Sequence, residues 1–226
     1  MSKRRIFSSR GELDAALAQE VCAQLQAGLD TNGKATLVVS GGSTPKGLFE
    51  ALSAADLEWK NVTVLLADER WVDESHADSN TAMVKRLLLQ GAAAAANFID
   101  FGAGSADVGV ELDRVKGELA GLGTFDVVIL GMGNDSHTAS LFPCSTELDE
   151  GLTTDAAALM TQPTTAPHRR ISLSKARLLD TKMGVVHIVG SSKLEVFDIA
   201  TKYADDDVHP ISHFYHHSPF SLWFSE

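Results

Sequence analysis

The stretch GMGNDSHTASLFP, residues 131–143, combines side chains that do acid–base chemistry with glycines that allow a tight turn. Asp135 stands two residues before His137, and the stretch directly follows the apolar run FDVVIL. A carboxylate beside a histidine can orient the imidazole or stabilise its charged form, as in hydrolytic sites. Neither Ser136 nor Ser140 lies in the G-x-S-x-G pattern of a serine nucleophile, so we expect a histidine that activates water.

Two other interpretations of this stretch are weaker. Gly131 and Gly133 fit the start of a dinucleotide fingerprint, but its sixth position is Ser136 and the stretch lies far from the first strand. A lone histidine after a strand is often structural, but here it shares a glycine-rich turn with an acid. The sequence therefore favours a catalytic histidine and no nucleotide cofactor.

The stretch SGGSTP, residues 40–45, has the composition of a turn between a strand and a helix. Its glycines let backbone N–H groups face a ligand, Ser43 or Thr44 can cap the helix, and Pro45 suits its first turn. A helix N-terminus with free N–H groups binds anions such as phosphate. The six residues alone leave open whether this is a phosphate site or only a well-capped helix. The candidate binding residues here are Gly41, Gly42, Ser43 and Thr44.

The acidic stretch DERWVDESHADSN, residues 68–80, allows three interpretations. Asp68 and Arg70 point the same way under the two-residue alternation of a strand, which favours two ligand-facing side chains. The carboxylates and the imidazole of His76 are typical metal ligands, but their spacing matches no defined motif, so we predict no metal site. The third interpretation is a solvated loop that Ser79 caps into the next helix.

Two later stretches add cations to a chain whose formal net charge is −11. Arg170 lies in HRRISL and Lys193 in GSSK. Cations beside a phosphate-type loop suit an anionic substrate. We expect Arg169 to serve solubility, and the histidines of the C-terminal HFYHH to be packing or surface residues, because no partner motif accompanies them.

These stretches are separated by elements of an α/β fold. Short apolar runs rich in β-branched residues predict strands buried on both faces of a parallel sheet, at 35–40, 62–67, 125–131 and 183–190. Apolar residues recurring at three and four predict amphipathic helices at 11–30, 79–90, 107–122 and 192–203. This alternation is typical of a doubly wound, mostly parallel sheet with helices on both faces. A polar stretch follows each predicted strand, and ligands bind beyond the carboxyl ends of such strands, so we expect one shared pocket.

The rest of the chain suggests no second unit, and we predict a single α/β domain over residues 1–226. The alanine-rich residues 92–98 predict a helix end or loop, and the aromatic C-terminus predicts a last turn and an edge strand. The negative charge argues against nucleic acid or an anionic membrane as partner. No apolar run approaches the roughly 20 residues of a membrane helix, and no signal peptide is evident. Two cysteines make no disulfide framework, so we expect a reduced, cytoplasmic protein.

Taken together, SGGSTP, DERWV with the later SN, GMGNDSHTASLFP, RRISL and GSSK resemble the 6-phosphogluconolactonase family. They occur in family order from residue 40 to residue 193 and so cover most of the chain. The resemblance implies a Rossmann-like sheet related to that of the glucosamine-6-phosphate deaminases. It implies hydrolysis of a phosphorylated sugar lactone in the pentose phosphate pathway, without a cofactor and in the cytoplasm. We expect a monomer or a small homo-oligomer.

The resemblance also implies roles for individual residues. His137 is similar to the general base of the family, Asp135 to the acid that supports it, and Arg70 matches a residue that can steady the oxyanion. The SGGST loop and Lys193 resemble phosphate binders with Arg170 as a helper, and Asp68 and Arg70 match the loop that reaches the lactone end. In one departure Ser136 replaces the glycine of the family's Asp-Gly-His. If the backbone there has a positive φ, serine carries strain of order 1 kcal/mol.

Two rival functions share these features. Deaminases of amino-sugar phosphates carry a glutamate five residues after the histidine, within NEP, where this chain has Phe142 within LFP. Ring opening and deamination need that extra acid–base group, which phenylalanine cannot supply. A non-catalytic sugar-phosphate sensor could keep SGGSTP and Lys193, but it would not need Asp135 and His137 together.

Overall fold

The computed structural model describes residues 3–104 and 107–226 and contains ten strands in two sheets. The strands are β1 (Arg4–Phe7), β2 (Ala35–Val39), β3 (Val62–Leu66), β4 (Asp68–Arg70), β5 (Asn97–Ile99), β6 (Phe125–Leu130), β7 (Ala158–Thr161), β8 (Arg170–Leu173), β9 (Thr181–Val189) and β10 (Phe220–Ser225). Seven of them form a parallel sheet in the order β1-β10-β9-β6-β2-β3-β5. The four predicted strands are β2, β3, β6 and β9, which lie side by side in the middle of this sheet.

Helices cover the sheet. They are α1 (Arg10–Asn32), α2 (Lys46–Ser53), α3 (Asn80–Leu87), α4 (Val108–Ala120), α5 (Leu148–Thr153), α6 (Lys175–Leu179), α7 (Ser191–Ala200) and α8 (Ser212–Tyr215). Four of them, α1, α3, α4 and α7, match the predicted amphipathic segments. In α1 the buried side chains Leu13, Leu17, Val21 and Leu25 recur every four residues, which is the stripe a helix presents to a core. Among the described residues, no helix has both the length and the apolar character needed to span a bilayer.

The order of the strands makes the fold doubly wound and fixes where a ligand can bind. From β2 the chain builds outward to β3 and β5, and it then returns to the other side of β2 with β6, β9 and β10. The side on which the chain adds new strands therefore changes between β2 and β6, although the two strands are parallel. A crevice opens where the loops after these two strands diverge. Every residue of β2 and of β6 is buried, so the sheet is a rigid base for those loops.

A second sheet, antiparallel in the order β4-β8-β7, is absent from the sequence prediction. The acidic stretch opens with β4 rather than with a loop, and HRRISL forms β8. These strands have three and four residues, too short for a periodic signal. Their register sets Asp68 opposite Ser172 and Arg70 opposite Arg170, which brings two predicted site segments together.

Two further predictions need correction. The C-terminal strand β10 is not an edge strand, because it pairs with β9 on one side and with the N-terminal β1 on the other. The predicted edge position overlooked β1, a four-residue strand with two charged residues. The alanine-rich segment is a short 3-10 helix, Gly91–Ala95, and the following Asn97–Ile99 adds a short strand beyond β3.

Candidate active site

A cavity of about 240 Å³ lies beyond the carboxyl ends of β2, β6 and β9. It is lined by residues 40–45, Asp68, Arg70, Asn80, Ile129, residues 131–133, residues 137–139, Arg170, His187 and Lys193. Nine of the ten predicted site residues are among these, and the tenth, Asp135, contacts His137. The expected single pocket therefore exists, although the roles of its residues remain predictions.

The loop after β6 folds back on itself and holds the acid against the histidine. The backbone N–H of Gly133 donates to the carbonyl of His137 at 2.9 Å, which closes the turn. Asp135 Oδ1 lies 2.5 Å from His137 Nδ1 and accepts the His137 backbone N–H at 3.2 Å. Gly133 has to be glycine, because a Cβ there would overlap the His137 ring and the Asp135 carboxylate. One carboxylate oxygen therefore bonds to both the ring and the backbone of His137, which orients the imidazole.

An aromatic ring fixes the histidine from its other side. Phe142, which is buried, stacks on the His137 ring with 3.8 Å between centroids and 19° between planes. The Arg170 guanidinium lies 4.8 Å from the centroid of the same phenyl ring. Position 142, where the deaminases carry an acid, thus holds an apolar support for the histidine.

Charges around the pair keep the carboxylate ionised. Burial by itself would raise the pKa of Asp135, but the hydrogen bond and the charge of His137 outweigh it and lower that pKa below its usual value. Lys193 faces the same region from the first turn of α7, and its Nζ donates to the Met132 carbonyl at 2.7 Å. Burial lowers the pKa of Lys193, and the charge of Asp135 opposes that change.

The loop after β2 turns its backbone toward the cavity but does not cap α2 as predicted. Pro45 occupies the cap position, and no side-chain bond caps the helix, so the prediction that Ser43 or Thr44 caps it is wrong. The loop is held from outside, because Arg10 Nη2 donates to the carbonyls of Ser43 and Thr44 at 2.8 Å each. Gly42 has φ +94, a conformation that favours glycine. Backbone N–H groups at the start of α2 are the part of this loop suited to an anion.

The second sheet contributes a buried polar group to the cavity wall. Asp68 accepts a short bond from the Ser140 hydroxyl, and its Oδ2 lies 3.8 Å from Arg170 Nη1. Glu69 points the other way, as strand alternation requires, and its carboxylate accepts the backbone N–H groups of Asn80 and Thr81. Glu69 thereby ties the start of α3 to β4. The predicted capping of that helix by Ser79 is confirmed.

Arg70 reaches the rim of the cavity. Its Nη1 donates to the Asp78 carbonyl at 2.7 Å, while its buried Nε bonds to none of the described residues. Beside it, His168 Nε2 lies 3.0 Å from Asp78 Oδ2, and His76 Nδ1 accepts the Asp78 backbone N–H at 3.1 Å. The side chains of His76, Asp78 and His168 bring possible metal-ligand atoms within 4.8 Å of one another, but the His168 ring bonds to the Asp78 carboxylate and the His76 ring bonds to the Asp78 backbone. The cluster holds the acidic loop against Arg70.

His187 lies in β9 and lines the cavity, a position that was not predicted from the sequence. The side chain is 2% exposed, and burial lowers its pKa to about 4, with the charge of Arg10 adding to the effect. Its Nε2 lies 3.6 Å from Asp14 Oδ1, and neither ring nitrogen bonds to a described residue. His187 is therefore a neutral polar group at the cavity wall. Its apolar surroundings, VVHIV, gave no signal for a site.

Known proteins with similar sequences and folds are sugar-phosphate enzymes of one family. Residues 8–223 match the family described as glucosamine-6-phosphate isomerases/6-phosphogluconolactonase. A 6-phosphogluconolactonase of Pseudomonas aeruginosa is 40% identical over 213 residues, which are 93% of this chain and 90% of that protein. A crystal structure of a 6-phosphogluconolactonase from Shewanella baltica OS155 has a TM-score of 0.96 at 40% identity and covers 100% of this chain and 98% of that one. A monomeric glucosamine-6-phosphate deaminase has a TM-score of 0.82 at 17% identity over 100% of this chain and 98% of that one, which confirms the predicted fold class alone.

Proposed function

We infer that this chain, which belongs to the glucosamine-6-phosphate isomerase/6-phosphogluconolactonase family, hydrolyses 6-phospho-D-glucono-1,5-lactone to 6-phosphogluconate in the oxidative pentose phosphate pathway. The observation that carries the mechanism is the Asp135–His137 pair, whose histidine lines a cavity together with the loop of residues 40–45 and Lys193. A base without a protein nucleophile suits water attacking an ester that is already activated.

The proposed binding mode sets the phosphate against the loop after β2. Backbone N–H groups of residues 41–44 and the Lys193 ammonium supply donors and positive charge to it. Arg170 adds charge from β8, although burial lowers its pKa and its charge partly balances Asp68. Asp68 and Arg70 then face the lactone end, where Asp68 can accept bonds from sugar hydroxyls.

The proposed chemistry starts at His137 Nε2. Because Asp135 holds Nδ1 in its protonated form, Nε2 is free to take a proton from water. The hydroxide formed attacks the lactone carbonyl, and Arg70 stabilises the negative oxygen of the tetrahedral intermediate. The position of Arg70 in the lining of the cavity supports this role. When the intermediate collapses, the ring oxygen leaves and takes the proton back from Nε2, so the histidine is restored.

The proposal extends to setting and partners. The described residues of one chain supply the proposed base, phosphate site and oxyanion donor, so we expect a monomer or a small homo-oligomer. Cys22 and Cys144 are free thiols, which fits a reducing cytoplasm. The formal charge of −11 makes nucleic acid and anionic membrane unfavourable partners. The mechanism uses neither a metal nor a nucleotide.

A two-substrate assay tests the function against its deaminase rival. Purified protein should accelerate opening of the phosphorylated lactone, after the spontaneous rate is subtracted and with a chelator present. It should release no ammonium from glucosamine 6-phosphate, because Phe142 replaces the acid that deamination uses. Ammonium release without lactone acceleration would assign the chain to the deaminases. Binding of 6-phosphogluconate without turnover of either substrate would identify a sensor.

A further inference from the structure

Ser136, which lies between the acid and the histidine, is one of two non-glycine residues of the loop 131–143 with a positive φ; the other is Ala139. The φ of Ser136 is +63, in the left-handed region that favours glycine, and the residue is 1% exposed. This is the position where the family pattern reads glycine, so the anticipated strain is present. A buried serine in this conformation needs interactions that glycine would not.

Those interactions come from the segment after α7. The imidazole Nδ1 of His209 lies 2.9 Å from Ser136 Oγ, and the backbone N–H of Ile211 donates to the Ser136 carbonyl at 3.1 Å. Ser136 Oγ also lies 2.5 Å from the Asp135 carbonyl oxygen. A serine hydroxyl has one proton, and the carbonyl can only accept. All three groups are satisfied when Ser136 donates to the Asp135 carbonyl and His209 Nδ1–H donates to Ser136 Oγ.

The segment that carries His209 is firmly anchored. Ile211 and Phe214 are 0% exposed in the core, and Ser212 Oγ accepts the Asp206 backbone N–H at 2.8 Å. The buried His213 lies between Asp205 and Asp207, at 3.1 and 2.9 Å from their carboxylates. His209 is thus fixed relative to the core, and it can transmit that fixed position to Ser136.

We propose that His209 is a positioning residue of the reaction, whose bond to Ser136 Oγ holds the left-handed turn that aims Asp135 at His137. The effect on kcat rests on the proposed function. The hydrogen bond between His209 and Ser136, which we call the clamp, is a property of the fold. Asp135 makes two bonds to His137 from one oxygen, and both depend on the backbone angle at the intervening residue. Releasing that angle misdirects the base without touching the substrate-binding residues.

The kinetic test compares variants at position 209. His209→Leu should lower kcat about 10- to 100-fold, the cost of a small misplacement of a catalytic group, with KM within about twofold of the parent. His209→Asn should recover most of the loss, because its amide can place an N–H where Nδ1 lies. His217→Leu is the matched control, since His217 bonds to Asp205 in the same segment but has no bond to the catalytic loop. An unchanged kcat in His209→Leu, or an equal loss in His217→Leu, would overturn the proposal.

A second test depends on glycine at position 136. Because glycine adopts a positive φ without strain, Ser136→Gly should restore much of the kcat lost in His209→Leu. In unfolding experiments, Ser136→Ala and His209→Leu should each lower the free energy of unfolding. Because both remove the same hydrogen bond, the double variant should be about as stable as the less stable of the two single variants. Additive effects on stability and no rescue by glycine would show that no clamp exists. This unfolding cycle needs no activity, so it reports on the clamp even if the parent protein fails to hydrolyse the lactone.

Discussion

Replacing Lys193 with alanine tests whether the phosphate of the substrate is bound as proposed. The Lys193 ammonium is partly buried, its Nζ lies 2.7 Å from the Met132 carbonyl, and it lines the same cavity as the proposed anion-binding loop. A charge-assisted contact to a phosphate is worth about 1.5–3 kcal/mol. At about 1.4 kcal/mol per factor of ten, its loss should raise KM roughly 10- to 150-fold.

The assay should use two substrates, because Lys193 also bonds to the catalytic loop. With the 6-phosphorylated lactone, Lys193→Ala should lose most of its kcat/KM. With unphosphorylated gluconolactone, kcat/KM should fall much less, because the variant loses only the bond from Lys193 to the loop after β6. The exposed Lys202 supplies a matched control, and its alanine variant should behave like the parent.

The comparison between substrates decides the outcome. For the parent, the ratio of kcat/KM with the phosphorylated lactone to kcat/KM with the unphosphorylated lactone should be at least as large as the loss of kcat/KM that Lys193→Ala causes with the phosphorylated one. If the parent hydrolyses both lactones equally well, or if Lys193→Ala impairs both equally, the phosphate does not bind between Lys193 and residues 41–44. The reasoning from the anion-binding loop would then be refuted.

Three further variants test the supporting structure. His187 has a pKa of about 4 when folded against 6.5 when exposed, so the unfolded chain binds the proton first as pH falls. The free energy of unfolding should therefore drop by about 3 kcal/mol between pH 6.5 and 4, a loss that urea titrations should show in the parent and largely not in His187→Leu. Phe142→Ala should lower kcat about tenfold by freeing the His137 ring, with partial recovery in Phe142→Leu, whereas unchanged turnover would make the stacking irrelevant. Gly41→Ala should reduce both thermal stability and kcat/KM, since a Cβ there overlaps the Asn80 amide, and a parent-like melting temperature would contradict that overlap.

The central sheet could be predicted because its strands are buried on both faces and rich in β-branched residues. The runs now seen as β2, β3, β6 and β9 give that signal, and amphipathic periodicity gives the main helices. The short strands of the second sheet gave no such signal. Asp68–Arg70 is three residues long, and its pairing with β8 depends on contacts across about a hundred residues of chain. The pairing of β1 with β10 is also long-range, and it makes β1 the edge strand in place of β10.

The site residues could be identified from residue types, but their supports could not. Asp135 and His137 are two residues apart in the sequence, so their contact is local. Arg10 bonds to the loop after β2 from a helix more than thirty residues away, and His209 reaches Ser136 across 73 residues. Such contacts depend on tertiary packing and have no pattern in the local sequence. The sequence predicts strain at Ser136 only if its φ is positive, and the value of that angle comes from the structure.

The most direct test of the account is the turnover of His137→Ala with 6-phosphogluconolactone. The spontaneous opening rate is subtracted, a chelator is present, and folding is checked by circular dichroism. His216→Ala, a change at an exposed histidine, serves as the control. Removal of a general base should lower kcat about 10²- to 10⁴-fold with a smaller change in KM, while His216→Ala keeps the parent rate. Turnover by His137→Ala within about threefold of the parent would remove His137, and with it the proposed mechanism, from the reaction.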